Sequence, residues 1–165
     1  MASLIEDLMA TLATQKENYE QLLILSEEKI NLITKQDIDT LQKITAAEST
    51  IIGRNQRLDQ KREECVKNIG VVLNRNPKEL TLTEIASILP NKEESDKVIE
   101  LRDQLYDILQ ALKIKNDQNQ KLLESSLDYI DFSINLIRHG MEGDGYLSQT
   151  GEIIQDGKNF FDAKQ

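Results

Sequence analysis

With 165 residues, 30% of them charged and only 4% aromatic, the chain has the length of one domain with a real core, built from aliphatic stripes rather than aromatic blocks. Its 29 acidic against 20 basic residues leave a net charge of −9, which disfavours nucleic acid and anionic lipid as partners, and no basic patch offsets it. A single cysteine excludes an intramolecular disulfide and fits a reducing compartment. The start, Met1-Ala2-Ser3-Leu4-Ile5-Glu6-Asp7, lacks the basic opening and apolar core of a signal peptide. No run approaches the roughly 20 apolar residues that span a bilayer. A cytoplasmic protein without stable membrane insertion is expected.

The first segment carries an apolar seam through Ile5, Leu8, Leu12, Gln15, Tyr19, Leu22, Ser26, Ile30 and Ile33. Its steps are of three or four residues and alternate as far as Ser26, which keeps one stripe facing a partner helix. Ser3 and Glu6 have capping-box spacing, so a helix over about 3–35 is predicted. Asp37 is a natural N-cap for a second helix over about 37–70, with a seam through Leu41, Ile44, Glu48, Ile51, Asn55, Leu58, Arg62, Cys65 and Ile69. So short a connection makes the two helices antiparallel neighbours. Both prolines, Pro77 and Pro90, fall in the next stretch. Between them Thr81 and Glu84 repeat the capping-box spacing before Ile85, Ile88 and Leu89, which predicts a short helix over 81–89, stopped by Pro90 and lying as a lid on one end of the bundle.

Asn91 and Glu94 open the longest segment, predicted over 92–139, with a seam through Val98, Leu101, Leu105, Leu109, Leu112, Asn116, Asn119, Leu123, Ser126, Ile130 and Ile137. Arg138, His139 and Gly140 suit a helix end, with cations near the carbonyl terminus and glycine at the left-handed position. The first two helices would be about 50 Å long and the third about 70 Å, so the third overhangs and its flank needs a cover. After it, glycines at 140, 143, 145, 151 and 157 predict an adaptable tail over 140–165 rather than a continued helix. That tail still holds Tyr146, Leu147, Ile153, Ile154, Phe160 and Phe161, which a purely solvated segment would not usually carry. Strict alternation is absent throughout, so no strand is expected. The fold class is all-α: an elongated antiparallel bundle of three long helices over 1–139, with one short connecting helix and a glycine-rich C-terminal tail.

Chemistry-bearing constellations are missing. A carboxylate-bridged metal site in a bundle needs a Glu-x-x-His pair on each of two helices, and the chain has one histidine. His139 reads as a cap of the helix dipole, and Cys65 as a core cysteine rather than a nucleophile. No glycine loop is followed by the lysine and hydroxyl residue that cradle phosphates. Neither metal, cofactor nor enzymatic activity is expected. The polar seam residues Glu48, Asn55, Arg62, Gln15 and Asn116 either fix register from buried positions or sit at the seam edge with their polar ends in water; the edge placement is the expectation.

The order of these features resembles the FlgN family, cytoplasmic chaperones of the bacterial flagellar type III export system. The resemblance rests on Tyr19-x-x-Leu22-Leu23, the Asp37 turn leading to Leu41 and Glu48, the stretch Asn119-Gln120-Lys121-Leu122-Leu123-Glu124-Ser125-Ser126-Leu127-Asp128-Tyr129-Ile130, and Tyr146 and Gly151 in the tail. It spans nearly the whole chain and is weakest between Gly70 and Pro90. It implies a protein that binds the C-terminal helical segments of the hook–filament junction proteins FlgK and FlgL and brings them to the export apparatus, with export-gate or export-ATPase components as further partners. The overhanging face offers Leu123, Leu127, Ile130, Ile134 and Ile137, in steps of four, three, four and three, as an apolar strip for a client helix. The alternatives are that the first two helices bury this face, or that tail residues Tyr146, Leu147, Ile153, Ile154, Phe160 and Phe161 occupy it until a client displaces them. From another class, a self-associating coiled-coil scaffold would cover it with a second copy.

Overall fold

The structure is a computed structural model that describes the backbone of residues 1–150 and the side chains of residues 1–139. The described residues are all-helical, with four helices and no strand: α1 (Ala2–Lys35), α2 (Ile38–Leu73), α3 (Leu82–Ile88) and α4 (Lys92–Thr150). Most boundaries follow local cap chemistry. The Asp37 side chain accepts a hydrogen bond from the Thr40 amide at 3.1 Å and so opens α2. Before it, Gln36 takes the left-handed conformation (φ 57°), and the amides of Gln36 and Asp37 close α1 onto the carbonyls of Ile33 and Leu32. Thr81 and Glu84 form a full capping box at the start of α3. At the entry to α4, the Asn91 side chain accepts from the Glu93 amide at 3.0 Å.

Two expectations need correction. Ser3 does not cap α1, because the helix already begins at Ala2 with Met1 as an N-cap that makes no side-chain bond. Once Ser3 lies inside the first turn, its hydroxyl is no longer placed to accept from the third following amide. The second helix, expected to about Gly70 or slightly beyond, ends at Leu73, where Asn74 adopts φ 54° and the Arg75 amide returns to the Gly70 carbonyl at 2.9 Å. Gly70 serves close packing rather than termination: a Cβ there would stand 3.0 Å from Pro77 Cγ and 3.1 Å from the Arg75 carbonyl oxygen. Finally, α4 does not stop at His139 but runs through Gly140, Gly143 and Gly145 to Thr150. Glycine costs a helix interior only about 1 kcal/mol relative to alanine, which a long helix absorbs where no proline follows.

The chain divides into two compact units, residues 1–120 and 121–165. In the first, the pairs Gln15–Asp59, Asn18–Asn55 and Lys29–Glu48 link α1 to α2 with one number rising as the other falls, so the two helices are antiparallel. One end of this unit holds an apolar cluster of Ile5, Leu8 and Leu12 from α1, Cys65 and Ile69 from α2, Leu80 and Ile85 at α3, and Leu101 and Leu105 from α4. Here α3 contributes Ile85 and Ala86 to the interior, and Ser95 of α4 donates to the Ala86 carbonyl at 2.8 Å. Further along, α4 meets α1 through polar groups: Ser26 Oγ donates to Asn116 Oδ1 at 3.2 Å, and Asn119 Nδ2 donates to the Ser26 carbonyl at 2.8 Å.

The middle of the first unit is more polar than an edge placement of its seam residues implies. Gln15, Asn18, Asn55 and Asn119 are all buried. Arg62 does lie at the edge, paired with Asp59, and Glu48 is mostly covered and paired with Lys29. Gln15 Oε1, Asn55 Nδ2 and Asn119 Oδ1 have no hydrogen-bond partner among the described residues. Buried amides cost stability where they are incompletely paired, but they penalise helix registers that would set them against leucine.

Candidate functional site

All five side chains of the sequence-derived strip, Leu123, Leu127, Ile130, Ile134 and Ile137, are exposed, from 39% at Leu123 to 63% at Ile137. They belong to the second unit and lie on α4, whose helical periodicity puts residues spaced by four and three on one face. Tyr129 and Leu136 are exposed as well, at 62% and 50%. So many large apolar groups on one stretch of helix exceed the scattered exposed leucines of an ordinary surface, and such patches mark docking faces. The tail candidates stand apart: the side chains of Tyr146 and Leu147, and Ile153, Ile154, Phe160 and Phe161 altogether, lie outside the described residues.

The strip is not the heptad continuation of the helix's inward face. Within the first unit the buried positions of α4 are Val98, Leu101, Leu105 and Asn119, and Ile108, Leu112 and Lys115, half-buried, complete the same alternation between them. Leu109 and Asn116, expected in the seam, are exposed instead. Read onward in the same alternation of three and four, that inward register falls on Leu122, Ser126, Tyr129, Ser133 and Leu136. The strip at Leu123, Leu127, Ile130, Ile134 and Ile137 thus runs one residue further round the helix, about 100° away. Sequence reading merged the two stripes and missed the one through Leu122, Tyr129 and Leu136; the signal was present, since 122/123, 129/130 and 136/137 are apolar pairs seven residues apart.

Two serines interrupt the second stripe without leaving stray polar groups. Ser126 Oγ donates to the Leu122 carbonyl and Ser133 Oγ to the Tyr129 carbonyl, each at 2.9 Å. Their hydroxyls are satisfied within the helix, so a partner that covers them strands no donor. The opposite side of α4 carries Glu124, Asp128, Asp131 and Asn135, with the exposed Phe132 between Asp128 and Leu136 around the helix.

Nothing in the described residues points to chemistry. No group of three or more His, Cys, Asp or Glu residues there could hold a metal ion. Cys65 is buried, and burial, together with the nearby Asp7 carboxylate, raises its thiol above the ordinary cysteine range; that opposes the thiolate a nucleophile needs. No helix among the described residues is long and apolar enough to cross a membrane.

The family model described as FlgN protein matches residues 1–150, which takes in all four helices and both apolar stripes. Neither a curated protein nor a solved structure matches the chain.

Proposed function

We propose, for a chain that belongs to the FlgN family of flagellar export chaperones, that its clients are the hook–filament junction proteins FlgK and FlgL, and that their C-terminal helical segments dock on α4. Membership makes it a chaperone and not an enzyme; the clients and the docking site are our reading. The observation that carries it is the exposure of Leu123, Leu127, Ile130, Ile134 and Ile137 on one helix face. An amphipathic client helix that lays its own apolar stripe there removes both surfaces from water, at about 25 cal/mol for each Å² of apolar area buried. The same contact hides the segment through which a client would otherwise self-associate, which is the task of an export chaperone in the cytoplasm. Tail residues Tyr146, Leu147, Ile153, Ile154, Phe160 and Phe161 are proposed as a second contribution to client contact.

Calorimetric titration of the full chain with the C-terminal segment of FlgK, and separately of FlgL, tests this. Micromolar or tighter binding with a negative heat-capacity change is the expected signature of apolar burial. No binding by either segment, with a solution mass above that of one chain that stays constant on dilution, would replace the reading with a self-associating scaffold.

A further inference from the structure

The apolar surface of α4 in the second unit is wider than one helix needs. From Leu127 on one side to Leu136 on the other it covers about 180° of the helix circumference, whereas one partner helix uses a stripe of about 100°. It also resolves into two stripes, each with its own alternation of three and four; their large residues are exposed except Leu122, which is half-buried. A helix with one such stripe pairs with one neighbour. A helix with two, side by side, has the pattern of a member of a bundle that touches two neighbours at once.

We infer that the site takes two client helices together, one on the stripe through Ile130 and Ile137 and one on the stripe through Leu122, Tyr129 and Leu136, so that α4 and its client form a three-helix bundle. This rests on the chaperone reading and deepens it. The serines at 126 and 133 sit where the second helix would come nearest; being small and internally bonded, they admit larger side chains from the client.

Other occupants fit less well. Residues 151–165, folded back from Thr150 as a helix, would span about 22 Å, whereas Leu122 lies about 42 Å back along α4. Laid out as an extended strand they would reach, but would leave backbone amides and carbonyls unpaired against apolar side chains. A second copy paired about a two-fold axis covers one stripe on each α4 and leaves the other open. A cyclic trimer would cover both, but would gather three chains that each carry a net charge of −9.

Three consecutive positions test the inference with the same new charge at the same depth: Asn135→Asp on the polar side, Leu136→Asp on one stripe and Ile137→Asp on the other. Each variant of the full chain is titrated with the FlgK C-terminal segment, and thermal unfolding checks that the fold is unchanged. Leu136→Asp and Ile137→Asp should each weaken binding at least tenfold, and Asn135→Asp by less than twofold. A segment shortened to a single helix should bind more weakly and respond to only one of the two stripe substitutions. If Ile137→Asp weakens binding and Leu136→Asp does not, one helix docks and the inference fails while the chaperone reading stands. A shortened segment that still responds to both means a single helix straddles the arc, which also overturns it. If neither substitution matters, the site itself is wrong. Sedimentation of the free chain that shifts with Leu136→Asp would assign that stripe to another copy and not to the client.

Discussion

The Asn18–Asn55 bridge between α1 and α2 predicts an asymmetry between two substitutions that look equivalent. Asn18 Nδ2 donates to Asn55 Oδ1 at 2.8 Å between residues 7% and 4% exposed, while Asn55 Nδ2 has no partner. Asn18→Ala removes the bridge and leaves the whole Asn55 amide buried and unpaired. That combines the net worth of a hydrogen bond, about 1 kcal/mol, with the desolvation cost of a newly stranded group, about 1–3 kcal/mol. Asn55→Ala also removes the bridge and strands Asn18 Nδ2, but it deletes a group that was already stranded, so the two desolvation terms largely cancel. The expected losses are about 2–4 kcal/mol for Asn18→Ala and about 1 kcal/mol for Asn55→Ala. Combining the two removes every stranded amide in the pair, so the double variant should resemble Asn55→Ala and not the sum of both. Urea unfolding of the full chain followed by far-ultraviolet circular dichroism gives the three values, with unchanged m-values required for the comparison. Equal losses for the single variants, or a double variant as unstable as their sum, would refute this account of the polar layer.

Further outcomes follow from local geometry. Gly53→Ala should raise stability by about 0.5–1 kcal/mol, because a Cβ there meets nothing and glycine is unfavourable inside a helix, whereas Gly70→Ala should destabilise by forcing Pro77 and the Arg75 carbonyl away; thermal melting separates the two signs. Glu48→Gln, which leaves the mostly covered Lys29 ammonium without its carboxylate, should cost about 1.5–3 kcal/mol, read by the same urea method. Thr81→Ala should cost about 1 kcal/mol while Ser3→Ala stays within about 0.5 kcal/mol, since only the first residue caps a helix. Hydrogen bonds from the Thr81 amide and hydroxyl hold Glu84 below the ordinary carboxylate range, so its contribution is present above the unfolded-state value and is lost as pH falls through the lower folded value; Glu84→Gln should flatten that acid limb of the stability profile.

Cap chemistry was legible in the sequence where it is local. Asp37 and the Thr81–Glu84 pair act within three residues of themselves, so spacing alone identified them. Ser3–Glu6 has the same spacing and failed because the helix found an earlier start. The predicted end at His139 failed for an energetic reason: the glycines beyond it weaken a helix by about 1 kcal/mol each but do not forbid it. Burial of Gln15, Asn18 and Asn55 was hidden for a third reason. Whether an amide can go inside depends on the group across from it, and for Asn18 that group is 37 residues away on another helix. The five-residue strip was read correctly as a face, and its exposure is a property of packing that periodicity does not contain.

The register of α4 shows most directly where pattern reading stops. After Val98, Leu101 and Leu105 an alternation of three and four calls for Ile108, whereas the Leu109 of the predicted seam takes a second step of four. The structure agrees with Ile108, which is half-buried while Leu109 is 41% exposed, and the two routes rejoin at Leu112. From Leu122 onward the sequence offers two complete stripes, because each apolar position has an apolar or small neighbour one residue away. A helix with a single partner gains nothing from such duplication, since the extra stripe only leaves leucine, isoleucine and tyrosine in water. The redundancy has a use if both stripes are covered in the working state. The degeneracy that defeats a unique register from sequence is therefore the same property that makes the face two helices wide.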